Sequence, residues 1–398
     1  MRDRAGHAVI LGAGLAGGAC AWALARRGWR VTLLEREERP GQHASGRNAG
    51  LVRRVEADAA ISALARAGAA LLARPPRDLA GRALYRRTGG VLLGRTEELE
   101  RDFAAARAAG VECSLGPAAA QPACALLGGA GLALSVPEDG VADPHEVLSA
   151  YLAAARAAGA VLRVEAPGAL WVEAGEVVGV HAPDGDLRAD VVIDAAGPWA
   201  ADLAREAGAL DLELQSYRRH LFWTGPWAPA GLDRDAPWVW DTARGFYLRP
   251  ESSGWLLCAC DHEPRPPEDA VAAADAHEKL AAKVAAVAPG LGEVPIARAW
   301  AGLRSFSPDL GFVIGPDPLR RGLFWATGLG GHGLTTSGAV GLLVAEMLSG
   351  ADDGGPAACD ESSFDAGSFD PGSFDPASFD PASFDPGRFL RVQSGDPT

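Results

Sequence analysis

Val9-Ile10-Leu11-Gly12-Ala13-Gly14-Leu15-Ala16-Gly17-Gly18, followed by Val31-Thr32-Leu33-Leu34-Glu35, decides the fold. It reads as a buried strand, a glycine turn, a helix and a second strand ending in an acid. Gly12 permits the tight turn, Gly14 lets the backbone approach a pyrophosphate, and Gly17 lets helix and strand pack closely. Free N–H groups and the positive end of the helix dipole then face the phosphates. Glu35 lies 18 residues after Gly17, where a carboxylate can take both hydroxyls of a ribose. A lone glycine motif also occurs at chance helix starts. Here the preceding strand, the following helix and the spaced acid together point to a dinucleotide-binding βαβ unit.

Composition bounds the rest. A chain of 398 residues is long enough for two domains or one large α/β unit. Hydrophobic residues at 48% and charged residues at 22% are ordinary for a globular protein. No apolar run reaches the length of a membrane span. The glycines interrupt the N-terminal apolar stretch, so a secretory signal is not expected. Six cysteines without a CxxC pair predict no disulfide framework and a reducing, cytoplasmic setting. Cys258 and Cys260 are read as ordinary strand residues on one face. The eight histidines show no metal-ligand spacing, so no metal is expected. The net charge of −14 is uneven: residues 352–398 hold ten acids and two arginines, leaving about −6 elsewhere. That balance argues against a nucleic-acid partner. Lysine occurs only at Lys279 and Lys283.

The pattern predicts a helix after Asp58, a strand over 89–94, and a helix from Glu97 to Ala109 closed by Gly110. Asp143 and Pro144 predict the start of a helix that ends at Gly159. A strand pair is expected over Val161–Val164 and Leu170–Val180. Val191 to Ile193, running into Asp194 and Gly197, predicts a parallel strand buried on both faces. Residues 210–260 read as β-rich, and helices are expected over Ala270–Ala288 and Leu334–Leu348. The tail recurs as Ser-Phe-Asp-Pro-Ala/Gly, with Phe364, Phe369, Phe374, Phe379, Phe384 and Phe389 five apart. Period five fits neither helix nor strand, which predicts a disordered acidic tail, with a docking element as the alternative.

A second glycine site, Gly328-Leu329-Gly330-Gly331-His332-Gly333, lies about 300 residues after the first. An NAD enzyme usually completes its nucleotide domain in one block. This layout points instead to FAD, with the second loop and the helix after it at the anionic end of the isoalloxazine. Packing glycines at a plain helix start are the alternative.

Further segments are Pro40 to Gly50, Tyr217-Arg218-Arg219, Gly245 to Pro250, Trp300 to Phe306, and the loop from Gly330 to Ser337. With the βαβ unit, they resemble the D-amino-acid oxidase/glycine oxidase/sarcosine oxidase family of flavoproteins. The likeness covers residues 7 to 349 and is nearest to the D-arginine dehydrogenase branch. The tail's last unit, Phe384 to Phe389, resembles the usual family ending.

The resemblance implies an α/β (α+β overall) architecture, with a Rossmann-like FAD-binding domain from 1–80, 145–215 and 305–350. A substrate domain with a mainly antiparallel sheet would use 81–144 and 216–304, leaving 351–398 as the low-complexity tail. It implies non-covalent FAD contacted by Gly12, Gly14, Leu15, Ala16, Gly17, Glu35 and Arg36. His43, Ala44, Ser45, Gly46, Arg47, Asn48, Ala49 and Gly50 would follow, with Pro167, Ala196, Gly197 and Trp199. Gly330, Gly331, His332, Gly333 and Leu334 complete that set. Arg219 and Arg304 would grip a substrate carboxylate, with Tyr247, Gly331 and His332 as the other catalytic positions.

Departures from the branch concern substrate. Gly90 stands where an acid would read a guanidinium, and Leu51 and Glu56 replace polar loop residues. The pocket is therefore expected at Leu51, Arg53, Gly90, Trp238 and Trp240, for a neutral or apolar amino acid or cyclic imino acid rather than arginine. Arg53 and Arg54 keep an acidic side chain open as a rival. Pro167 lacks an N–H where relatives hold adenine. The alternatives are a 2-hydroxy-acid dehydrogenase of the same fold, or a flavoprotein subunit docking through its tail. Oxygen or a quinone is expected as the electron acceptor.

Overall fold

The computed structural model describes residues 6–349 and 380–393. Its first sheet has six strands, in the order Val313–Pro316, Leu323–Thr327, Val191–Asp194, His7–Leu11, Arg30–Leu34, Val161–Arg163. All pairings but the first are parallel. Alternate side chains of the central strand enter different cores. Ala8 and Ile10 pack with the helices, whereas Val9 and Leu11 pack with Val177 and Val180 on the opposite face. Burial on both faces explains the unbroken apolar run in the sequence. The helical layer contains Leu15–Ala25, Ala59–Ala73, Pro144–Ala157 and Gly333–Ser349. No helix among the described residues is long and apolar enough to cross a membrane.

The second sheet has nine strands and is antiparallel except where Trp238–Asp241 runs parallel to Gly90–Leu93. Its strands all lie between Gly90 and Phe306. The long pair Gln215–Trp223 and Arg298–Phe306 sits next to the first sheet's glycine turns, with Gly302 packed against Arg47.

Local signals decide several elements. Asp58 accepts from the Ile61 N–H at 2.8 Å, and Asp143 accepts from the His145 N–H at 2.8 Å. Both caps stand where the sequence puts them. The expected strand pair after Gly159 is corrected. Val161–Arg163 joins the parallel sheet beside Arg30–Leu34, while Ala169–Glu173 and Glu176–His181 form their own hairpin. Ala174 and Gly175, both at positive φ, make its turn. The helix expected from Ala270 begins at Ala276.

The tail expectation divides. The repeats from Phe364 to Phe379 lie outside the described residues. The last unit is not disordered: Phe384 is 1% exposed, stacked on Phe312 with ring centroids 6.2 Å apart. Its carbonyl accepts from the Ile314 N–H at 3.0 Å. Arg388 donates to Asp309 at 2.6 Å and to the Phe312 carbonyl at 2.8 Å. Composition alone hid this, because the apolar cover of Phe384 comes from residues 72 positions earlier.

Candidate active site

A cavity of about 270 Å³ runs between the two sheets, from the start of the first helix to Trp240 and Tyr247. At the helix end its wall is Gly14, Leu15 and Ala16. Gly14 caps this helix with no side-chain bond, and the first turn holds no acid, so the positive end of the dipole is open to an anion. Ser45 accepts from the Leu15 N–H at 2.9 Å. Gly12 turns at φ +98°, and a Cβ on Gly17 would stand 1.9 Å from the Gly12 carbonyl oxygen. Glu35 is buried at the end of its strand. It accepts from the Ala13 N–H at 3.0 Å and the Glu37 N–H at 3.1 Å, which fixes its carboxylate beside the turn.

The opposite wall is the second glycine loop. Gly330 and Gly331 have φ of +54° and +99°, and a Cβ on either would meet Phe306 or Arg304 within 3 Å. Gly331, His332, Gly333 and Leu334 face the cavity, as do Ala44, Arg47, Asn48, Ala49, Gly50 and Gly197. Two helix starts, a close-packed glycine turn and an acid at the second strand's end fit the extended shape and charge of a flavin dinucleotide. Not every expected cofactor residue lines this cavity. Gly12, Gly17, Glu35 and Ala196 lie behind it, and Gly46 faces a separate crevice. Arg36 sits over the Trp199 ring at 3.6 Å, with His43 against the same ring, and this cluster and Pro167 stand outside the cavity.

The second sheet supplies the remaining wall. Arg219 pairs with Gly302 and Arg304 with Tyr217, so the two arginines stand diagonally on one face of adjacent strands. Arg219 donates to the Cys260 and Asp261 carbonyls, both at 3.1 Å. Arg304 meets His262 Nδ1 at 3.0 Å, and its Nε is buried without a partner. Neither guanidinium is paired with a carboxylate among the described residues. Burial and the charge of Arg219 lower Arg304 to about 10. Two like charges enclosed together without a carboxylate make a site for one.

Tyr247, Trp240, Leu51 and Arg53 also face this space, together with Leu221 and Leu303. Two pocket expectations are corrected. Trp238 is fully buried in a separate core, and Gly90 lies against its ring, where a Cβ would be 2.2 Å from Trp238 Cζ2. Trp238 shares the strand face of Trp240, two residues along, but packs with Leu92, Leu134 and Val136 instead of reaching the cavity. The two loop arginines also part company. Arg53 points to the cavity, over Trp240 at 4.5 Å and 3.0 Å from Glu56. Arg54 is buried on Asp139 at 3.2 Å.

Sequence reasoning named Glu56 only as a departure from the branch and missed that it meets His332 Nδ1 at 3.1 Å. It also missed the surroundings of the cysteines. Cys258 pairs across strands with Tyr247 and accepts from the Cys260 N–H at 3.3 Å. Burial alone would raise the Cys258 thiol, but hydrogen bonds from Cys260 and Tyr247 and the charge of Arg219 hold it below the usual range. The spacing of two was the available signal for that shared face.

Comparison with known proteins agrees with this geometry. The family described as "DAO: FAD dependent oxidoreductase" matches residues 7–347. The chain is 26% identical to the uncharacterized oxidoreductase YurR of Bacillus subtilis, over 86% of this chain and 94% of that protein. It is 32% identical to glycine oxidase of Pseudomonas putida, over 45% of this chain and 47% of the relative. With 4-methylaminobutanoate oxidase (formaldehyde-forming) of Paenarthrobacter nicotinovorans it shares 26%, over 89% of this chain and 45% of the relative. In structure it resembles glycine oxidase from Geobacillus kaustophilus, with a TM-score of 0.74 and 25% identity, covering 86% and 94% of the two chains. It also shares its fold with L-proline dehydrogenase from P. horikoshii, at a TM-score of 0.80 and 22% identity over 99% and 100%. The chain belongs to the DAO family of FAD-dependent oxidoreductases, and FAD is its cofactor.

Proposed function

We propose that this oxidoreductase removes two electrons from the Cα–N bond of an amino acid, and that Arg219 and Arg304 hold the substrate's carboxylate. The observation that carries the reading is the pair of enclosed guanidiniums without a carboxylate. Bidentate, charge-assisted bonds fix a carboxylate in both position and plane. Tyr247, beside Arg219 on the same sheet face, closes the clamp. With the carboxylate anchored, the Cα–H is aimed toward the space between the two glycine loops. FAD, when bound there, supplies the two-electron acceptor for the hydride. The comparisons support the amine part of this reading, since glycine oxidase and 4-methylaminobutanoate oxidase (formaldehyde-forming) are named for substrates that carry an amine.

The domain assignment belongs to the same proposal. The first sheet and its helices hold FAD without a covalent link, and the nine-stranded sheet recognises substrate. The side-chain pocket is Leu51, Leu221, Trp240 and Leu303, with Arg53 already neutralised by Glu56. Such a wall favours a neutral or apolar D-amino acid or a cyclic imino acid. It offers no free carboxylate to a basic side chain, and Arg54, buried on Asp139, is not available to an acidic one.

The test is a substrate panel with the holoenzyme, read by loss of flavin absorbance without oxygen. D-Phe, D-Met and D-Pro are expected to reduce the flavin faster than D-Arg or D-Glu. Fastest reduction by D-Arg would overturn the pocket assignment.

A further inference from the structure

The arginine clamp leaves the substrate's amine without a partner, and two side chains of the cavity wall, His332 and Arg53, bear on it with the buried Glu56. His332, Arg53 and Glu56 form a closed triangle. Arg53 Nη2 lies 3.0 Å from Glu56 Oε1. His332 Nδ1 lies 3.1 Å from that same oxygen and 3.1 Å from Arg53 Nη2. Nδ1 cannot satisfy both neighbours. Facing the carboxylate it must carry hydrogen; facing the guanidinium it must offer a lone pair.

The surroundings favour the first arrangement. Arg53 already has Glu56 as counter-charge and the Trp240 face at 4.5 Å, so it does not need the imidazole. Glu56 has a side chain only 9% exposed and no backbone partner, so it needs both donors. Burial alone would raise Glu56, but the charge of Arg53 and the hydrogen bond from His332 hold it below the usual range. Nδ1–H then bonds Glu56, and Nε2 keeps its lone pair. Nε2 has no protein partner among the described residues, and His332 lines the same cavity as Arg219, Arg304 and Tyr247.

We infer that His332, held in its Nδ1–H form by Glu56, accepts a proton from the substrate's ammonium at Nε2. This rests on the amine-oxidation reading above. An ammonium nitrogen has no electron pair with which to form a C=N bond, so one proton must leave before the hydride does. The ammonium N–H bond breaks, an Nε2–H bond forms, and no electrons change hands in that step. His332 is thus a catalytic residue and Glu56 a positioning residue.

Arg53 on its own wall, Arg219 and Arg304 across the cavity, and the start of helix Gly333–Ser349 are the positive groups around His332. Asp139 lies farther off, paired with Arg54. Glu56 is the one carboxylate in contact with the ring among the described residues.

The experiment measures the rate of flavin reduction against pH, without oxygen, in the holoenzyme and in H332Q, E56Q and E56L. Loss of a general base is expected to cost about 100-fold at neutral pH in H332Q. The rising limb should move up toward the amine's own pKa, so that near pH 10 the variant approaches the parent. E56L lets Arg53 face Nδ1 and reverses the tautomer, so it should fall as far as H332Q. E56Q keeps an acceptor for Nδ1–H and should fall less. An unmoved limb in flavin-loaded H332Q overturns the assignment. Histidine 15N shifts in the parent holoenzyme supply a readout that survives misfolding of any variant. A protonated Nε2 on His332 would also overturn it. If no amine reduces the parent's flavin, the functional reading fails rather than this one.

Discussion

Arg304 illustrates how much one side chain can carry. Its pKa falls to about 10 because it is buried beside Arg219, and its Nε has no partner. A bound carboxylate would relieve both conditions. Replacing either arginine by methionine should therefore weaken carboxylate binding by about 2–5 kcal/mol, measured from the flavin spectral shift on titration with a non-oxidisable carboxylate. The glycines make an equally sharp case. A Cβ on Gly17 would sit 1.9 Å from the Gly12 oxygen. G17A is expected to yield protein that purifies colourless, or with a small fraction of the parent's flavin, measured as the ratio of visible to ultraviolet absorbance. Gly17 was legible because glycine spacing is a local signal, whereas Arg219 and Arg304 were picked out only by the family resemblance, since in so Arg-rich a chain an arginine by itself reads as a surface residue. The role of Glu56 was not legible, since its partner His332 lies 276 residues away and nothing near Glu56 sets it apart from other acids.

Strands and helices were legible wherever their own residues decide them. The βαβ unit, the Asp58 and Asp143 caps and the glycine-started last helix follow from short-range chemistry. Pairing was harder. Val161–Arg163 reads like half of a hairpin, yet it adds to the parallel sheet because Arg30–Leu34 offers an open edge there. The pocket was misread at Trp238 because Trp238 and Trp240 share one strand face, and only the register, which sets Trp240 opposite Tyr247 and Trp238 opposite Gly90, tells them apart. The strand Val191–Asp194 yields a prediction of its own. Asp194 is fully buried, one oxygen takes the Ala196 N–H at 3.0 Å, and the other has no partner. Burial raises it to about 7, above its value in the unfolded chain. The folded state therefore favours the protonated acid. Its stabilising effect is complete below about pH 4 and is lost as pH rises toward 7. D194N should remove that loss and raise Tm at pH 8 by about 5 °C, with little change at pH 4, in thermal melts followed by circular dichroism.

Across the whole molecule, the site lies where two sheets meet. The parallel sheet presents its glycine turns and helix starts, and the antiparallel sheet presents Arg219, Tyr247, Trp240 and Arg304 across the cavity. The chain's last described segment joins this assembly through Phe384, which stacks on Phe312, itself 6.1 Å from the His332 ring. F384A is expected to lower stability by about 3–5 kcal/mol in denaturant melts, the cost of emptying a packed aromatic site. Added FAD should recover part of that loss, because a ligand bound only by the folded state stabilises it. On the proposed function, the substrate's carboxylate is the handle by which Cα is presented. The most direct measurement compares an amino acid with its own carboxamide, each added to the holoenzyme without oxygen while flavin absorbance is followed. The acid should bleach the flavin and the carboxamide should leave it oxidised on the same timescale. Equal bleaching by both would contradict the account.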